Sequence, residues 1–394
     1  MTCLLTATRF TLGTAYTDRS HPAVAKSTDE FFGFRTKCYL DIEIDSPTIA
    51  TAQALLILSS HEAAHARESR GRINSAMAVQ IMTDLGLHLN LENEYNLLAA
   101  SDSIDVDTAV VRRNLFWSTN TIDTLWSAYS GRPCLMQHLA HNVQPALPSP
   151  SYHWNYYVDV YTSLRFPADF DTRAAAHVHV YLAQLMEILA RVAEVLYAGV
   201  PDVATDIRAF VAEADDNFQT WLSALPESLR VDTKPPGRDF YLPSAMELHF
   251  IFHECIILLH RPLISPGGAA AHLTSPDQNT PSSLRRCIDS ANEICRLLIA
   301  FRRQYGLRRP HHQTVHVAMT AALVHVFQLC STTTDSNENR EAQENLLTCI
   351  QALGEMGQTY KSASRALDVV TSVRQSWQDD VFAADRFKKP RLQK

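Results

Sequence analysis

The sequence lacks the excess of positive charge that nucleic-acid-binding surfaces usually carry. Its 394 residues include 35 Lys and Arg against 42 Asp and Glu, which gives a formal net charge of −7. A protein that holds DNA with its own surface usually shows a basic balance or a dense basic patch, because contacts to phosphate supply much of the affinity. The composition therefore argues against direct DNA contact by this chain.

Long apolar runs and a secretion signal are also lacking. No uninterrupted run approaches the roughly 20 residues that cross a bilayer, and no basic segment precedes the short apolar stretch at the start. We therefore expect no membrane association. The 8 cysteines are scattered, several of them inside apolar helical segments, where Cys behaves as a small buried hydrophobe. This usage predicts a reduced, intracellular protein.

No segment shows the alternating pattern of a strand, whereas a helical hydrophobic period runs through most of the chain. The clearest segment is 171–199, where apolar residues repeat every three or four positions and Gln184, Glu187, Arg191 and Glu194 fill the opposite face. The sequence predicts an all-α protein. Its further helices are expected at about 47–66, 69–86, 107–131, 202–224, 244–262, 283–305, 311–330 and 340–372. The predicted division is an N-terminal segment 1–45, a helical domain 46–372 and a basic C-terminal tail 373–394.

Two segments contain short phrases in a characteristic order. Segment 68–92 holds LGLH at 85–88, and segment 111–136 holds RR at 112–113, FW at 116–117, Asp123 and GRP at 131–133. This order resembles the middle homology region of fungal zinc-cluster transcription factors, particularly regulators of nitrogen assimilation and xylan degradation. The resemblance continues in segments 248–264, 287–308 and 347–367, and therefore covers about residues 45–372.

The resemblance implies a multi-helix regulatory domain of the fungal-specific transcription factor type, which regulates transcription of a metabolic or secondary-metabolite pathway in the nucleus. Its implied partners are other transcription factor subunits or co-regulators, with a small-molecule effector held between helices as a further expectation. DNA is expected to be reached only indirectly or through another module. The residues of the family phrases are expected to be structural or regulatory, and they are Gly86, His88, Arg113, Trp117, Asp123, Gly131, Arg132, Pro133, His260, Arg261 and Pro262.

These phrases also have physical interpretations. Gly86 and Gly131 suit the C-terminal caps of their helices, and Trp117 offers a large apolar surface for helix packing. Arg112, Arg113 and Asp123 suggest a polar network that braces the loop after the second helix. Solvated charges on a helix face are the other interpretation of the same residues.

The chain departs from the family in one respect. The DNA-binding module of these factors holds two zinc ions with six cysteines packed into about 30 residues, whereas the first 130 residues here contain only Cys3 and Cys38. We therefore expect no zinc cluster and no resident cofactor. Either the sequence starts inside a longer gene, or the protein modulates a complete factor purely by interaction.

A different function is suggested by His61, Glu62 and His65, which form a literal HExxH motif. In zinc hydrolases the two histidines bind the metal and the glutamate is the general base. The third histidine of the extended motif is missing, because Asn74 stands in its place, while Asp84 lies at the distance of a carboxylate third ligand. We favour a polar helix face, with no catalytic or metal-binding residue, and keep a zinc-dependent hydrolase as the alternative.

The remaining candidates are pairs of histidines and clusters of basic residues. His249 with His253, and His312 with His316, stand at helical spacing, and we interpret them as hydrogen-bonded histidines and not as metal ligands. Basic clusters occur at Arg302, Arg303, Arg308 and Arg309 and in the tail 386–394. The tail is either a weak nuclear-localisation signal or a solvated terminus. No Gly-rich phosphate loop follows a strand, and no G-x-S-x-G motif occurs.

Overall fold

The computed structural model describes residues 28–89, 106–137, 139, 143, 145, 173–197, 206–233, 240–264, 280–308, 310–331 and 337–388. Within these ranges the regular structure consists of eleven α-helices and two short 3-10 turns, without strands. The predicted all-α class is confirmed. The chain divides into two compact units, Met1–Arg230 and Val231–Lys394. The predicted boundaries near 45 and 372 are a different division and stay a prediction.

The first unit contains six of these helices. They are α1 (Thr28–Glu43), α2 (Ile49–Ala64), α3 (Glu68–Asp84), α4 (Val106–Ser130), α5 (Val178–Tyr197) and α6 (Ile207–Ala224). Helix α2 packs on α1 and α3, helix α4 packs on α3 and α5, and α6 packs on α5. Leu55, Met82 and Phe116 lie at the centre with at most 1% of their surface exposed. Burying each such side chain contributes roughly 1.5–3 kcal/mol.

The second unit contains the other five helices. They are α7 (Pro243–Ile264), α8 (Thr280–Tyr305), α9 (Gln313–Ser331), α10 (Asn337–Met356) and α11 (Lys361–Lys388). Helix α9 contacts each of the other four. In the described part of the chain it alone has the length and composition of a membrane span, yet 61% of that window is buried inside the unit. Its contacts make it the central helix of this bundle.

Two stretches differ from the sequence prediction. Helix α1 lies in the segment to which no helix was assigned, and the single helix predicted at 340–372 is α10 and α11 joined by a turn. Gly357 begins this turn, where an added Cβ would come within 2.9 Å of Ser364 Oγ. Tyr360 ends the turn, and its hydroxyl donates to the Pro310 carbonyl at 2.6 Å. The turn is short enough that the hydrophobic period continues through it, so periodicity alone predicts one helix.

Candidate functional site

The LGLH phrase forms the C-terminal end of α3. Gly86 has a φ of +65°, and the amides of Gly86 and Leu87 donate to the carbonyls of Thr83 and Met82. This is a Schellman turn, in which a left-handed residue allows the last carbonyls of a helix to be satisfied. Arg112 from α4 donates to the Leu85 carbonyl at 3.3 Å. The phrase therefore fixes where α3 ends against α4, and His88 follows in a half-buried position.

The FW pair and the arginine before it lie on α4. Phe116 and Trp117 are buried, with their rings edge to face and their centroids 5.3 Å apart. Both belong to the core shared with α2 and α3. Arg113 is half-buried on the same helix. The two aromatic residues therefore pack α4 against α2 and α3.

Asp123 holds the loop that follows α4. Its Oδ2 accepts from the Met136 amide and from the Cys134 thiol, each at 2.9 Å. Burial raises the pKa of Asp123, although these hydrogen bonds oppose the rise. Gly131, with a φ of +61°, turns the chain out of the helix, and Arg132 and Pro133 are exposed at the turn. Asp123 thus braces the GRP loop, whereas Arg112 acts at the other end of the motif, against α3.

A very close contact between helices in this region is made by Gly71 of α3. A Cβ on Gly71 would lie 2.7 Å from Trp126 Cζ2 and 2.9 Å from the Ser59 carbonyl oxygen. Trp126 Nε1 in turn donates to Ser59 Oγ at 2.9 Å. Three helices, α2, α3 and α4, therefore meet at one point where only a hydrogen atom fits. Sequence reasoning assigned no packing role to Gly71, which lies in the family segment 68–92, or to Ser59, which lies outside both family segments.

The HExxH motif lies at the end of α2 and has a structural role. Glu62 has a fully buried side chain that pairs with Lys37 of α1 at 2.5 Å and with Arg67. Burial raises the pKa of Glu62, but hydrogen bonds and charges from the two cations outweigh this effect and leave the pKa below its ordinary value. A carboxylate held by two cations is an ion-pair partner and is poorly suited to be a general base.

The two histidines of the motif pack against each other, and His61 also packs against α1. The rings of His61 and His65 stack with centroids 4.3 Å apart, and His65 Nδ1 donates to the His61 carbonyl at 3.0 Å. Gly33 of α1 lies against His61, since a Cβ there would be 3.1 Å from the ring. Within the described ranges, no three His, Cys, Asp or Glu side chains are arranged to hold a metal ion.

A strained turn at Ala66 places Arg67 beside Glu62. Ala66 has a φ of +58°, and the amides of Ala66 and Arg67 donate to the carbonyls of Ala63 and Glu62. This turn repeats the one at Gly86, with alanine in the left-handed position that glycine adopts without a steric penalty.

We expect Ala66→Gly to raise the free energy of unfolding by about 1 kcal/mol, because it relieves this penalty. Gly86→Ala is the matched control and is expected to lower it by a similar amount. Urea denaturation followed by circular dichroism measures both. A destabilised Ala66→Gly protein would contradict the strain at this turn.

The downstream family phrase lies at the end of α7 in the second unit. His260 is buried, and its Nδ1 is 3.3 Å from Ser283 Oγ of α8. Arg261 is exposed, while Pro262 is buried in the last turn of the helix. This phrase packs α7 against α8.

The members of the other histidine pairs are hydrogen-bonded or at least half-buried. His249 Nε2 accepts from the Val231 amide at 3.2 Å, and burial lowers the pKa of His253 to about 3. Burial likewise lowers the pKa of His312 well below its ordinary value. His316 Nδ1 is 2.5 Å from Glu254 Oε1, a buried carboxylate that the sequence distinguishes only by its place in an apolar helix.

The basic clusters lie at the edge of the second unit. Arg302 pairs with Glu355 and Arg303 is exposed on α8. Arg308 follows the helix, and Arg309 lies outside the described residues. Residues 389–394 of the tail also lie outside the described residues, whereas residues 386–388 form the end of α11.

Comparison with known proteins identifies the class. The pattern of the family described as the fungal specific transcription factor domain matches residues 2–205, more than half of the chain. The chain belongs to this family. The resemblance stated from the LGLH, RR-x-x-FW and GRP phrases is thereby confirmed.

Individual relatives are fungal regulators. The nitrogen assimilation transcription factor nirA of Emericella nidulans is 27% identical over 90% of this chain and 37% of its own length. The nitrogen assimilation transcription factor nit-4 of Neurospora crassa is 24% identical over 85% of this chain and 28% of its own. The acetamidase regulatory protein of Aspergillus oryzae is 25% identical over 75% of this chain and 34% of its own length. The chain thus spans less than half the length of these relatives. No solved structure matches it.

Proposed function

We propose that this chain is the regulatory region of a transcription regulator that acts in the nucleus. Family membership and similarity to transcription regulators over 75–90% of the chain carry this proposal. Its net charge of −7 favours action through other transcription factor subunits or co-regulators, with DNA reached indirectly. The proposal includes no resident cofactor and no catalytic residue, since Glu62 of the HExxH motif is held by two cations.

Fusion of the whole chain to an unrelated DNA-binding domain tests this function in a fungal host. We expect a reporter gene with the matching operator to change its expression relative to the DNA-binding domain alone, and a fluorescent tag to accumulate in the nucleus. Circular dichroism of the purified fusion checks that the chain is folded. A folded, operator-bound fusion with unchanged reporter expression would contradict the proposal.

Binding of DNA by the isolated chain is the complementary measurement. The acidic balance leads us to expect no sequence-specific binding, even at low salt where phosphate contacts are strongest. Specific, salt-sensitive binding would show that the chain reads DNA itself, and would overturn the indirect route.

A further inference from the structure

The first unit contains a groove between α5 and α6 that belongs to none of the family phrases. Its volume is about 200 Å³. Each helix contributes four residues at positions i, i+3, i+4 and i+7, beginning at Gln184 on α5 and at Phe210 on α6. Such residues share one helix face over two turns, so the groove follows both helices for roughly 10 Å.

The bottom of the groove is apolar and its rim is polar. Phe210 and Ala214 are 9% and 5% exposed, and Ile188 is half-buried beside them. The carboxamides of Gln184 and Asn217 lie at the exposed rim. This arrangement offers a short apolar surface bordered by hydrogen-bonding groups, as small-molecule sites do.

The charges along the groove do not cancel. Arg191 Nη1 lies 3.5 Å from Glu213 Oε1, and both side chains are about 60% exposed, so this is a weak surface pair. Glu187 also lines the groove, and no cation in the described part of the chain pairs with it. Desolvation by the surrounding atoms raises the pKa of Glu187, with no opposing partner. One uncompensated carboxylate therefore borders the apolar surface.

We propose that this groove binds a small organic cation, with an ammonium or guanidinium head on Glu187 and a short apolar stem against Phe210. A cationic head restores the charge balance that Glu187 lacks and forms charge-assisted hydrogen bonds, whereas an anion is repelled by it. The volume is below the roughly 300–1,000 Å³ of sites for drug-sized molecules, which matches a ligand the size of a single side chain. As a means of controlling transcription, the site rests on the proposed function; as a binding site, it does not.

Titration of n-butylammonium into the full chain tests the site, with saturation-transfer NMR or calorimetry as the readout. We expect saturable binding, and binding about tenfold weaker for 1-butanol and pentanoate, which have the same butyl stem without the positive charge. Glu187→Gln is expected to weaken n-butylammonium binding about tenfold, because it removes the charge and keeps the shape. Asp216→Asn, on α6 outside the groove, is the matched control and is expected to leave binding unchanged.

The outcomes separate this site from the proposed function. Equal binding of all three compounds, no saturable binding, or full binding by Glu187→Gln would each overturn the cation site. Circular dichroism excludes misfolding of the variant as the cause of lost binding. A reporter response without cation binding would leave the proposed function intact, whereas cation binding without any reporter response would leave only the site.

Discussion

Replacing Gly71 by Ala is expected to lower the free energy of unfolding by about 2 kcal/mol. The new Cβ would lie 2.7 Å from a ring atom of Trp126 and 2.9 Å from the Ser59 carbonyl oxygen. The carbonyl is helix backbone and cannot rotate away, and the indole ring is tied to Ser59 by its own hydrogen bond. The three helices must therefore separate. Urea denaturation of the full chain, followed by circular dichroism, measures the loss.

Gly354→Ala is the matched control for this prediction. Gly354 also lies inside a helix, α10, but nothing stands within 4 Å of an added Cβ. Alanine is the better helix former by about 0.5–1 kcal/mol, so this variant is expected to be more stable than the wild type. The same small change should then have opposite signs in the two helices. A Gly71→Ala protein as stable as Gly354→Ala would refute the tight contact.

Glu62→Gln is expected to cost about 3 kcal/mol, at the lower end of values for breaking a buried ion pair. Lys37 and Arg67 keep 34% and 32% of their side-chain surface exposed, so after the change they can turn toward water. Replacing both cations by Met is expected to cost more, because it leaves the fully buried carboxylate without a counter-charge. A zinc hydrolase would show the opposite pattern, with stability unchanged and a metal-dependent activity lost.

The cost of Glu62→Gln should depend on pH. The folded pKa of Glu62 lies below its ordinary value of 4.5, so the carboxylate contributes stability above pH 4.5 and loses it as the pH falls through the lower, folded pKa. The difference between wild type and variant is therefore expected to be full near pH 7 and to shrink in acid. Denaturation curves between pH 7 and 3 measure it. A difference that stays constant over this range would contradict the ion cluster.

The family phrases of the first unit have packing roles. Gly86 and Gly131 end two helices in left-handed turns, Trp117 fills the core, and Asp123 holds the loop after α4 through Met136. Each phrase sets a helix end or a helix contact. Disturbing them is therefore expected to affect folding before it affects any specific contact with a partner.

The sequence by itself determined the helical class, most helix positions, the two glycine turns and the family. These features depend on residues within one or two turns of each other, or on a fixed order of phrases, and both can be read along the chain. The apolar period of α5 likewise predicted which of its faces would be buried. The hydrophobic period did not locate the turn between α10 and α11, because it continues across that turn.

Only the tertiary structure decided the roles of the HExxH motif, Gly71 and the polar face of α5. Glu62 is identified as an ion-pair residue by Lys37, which comes from a helix that the sequence did not predict. Gly71 owes its importance to a contact between Ser59 and Trp126, which are 67 positions apart. Glu187 lines a groove only because α6 packs beside α5. Contacts between distant segments depend on how helices pack, and a local sequence pattern does not reveal that packing.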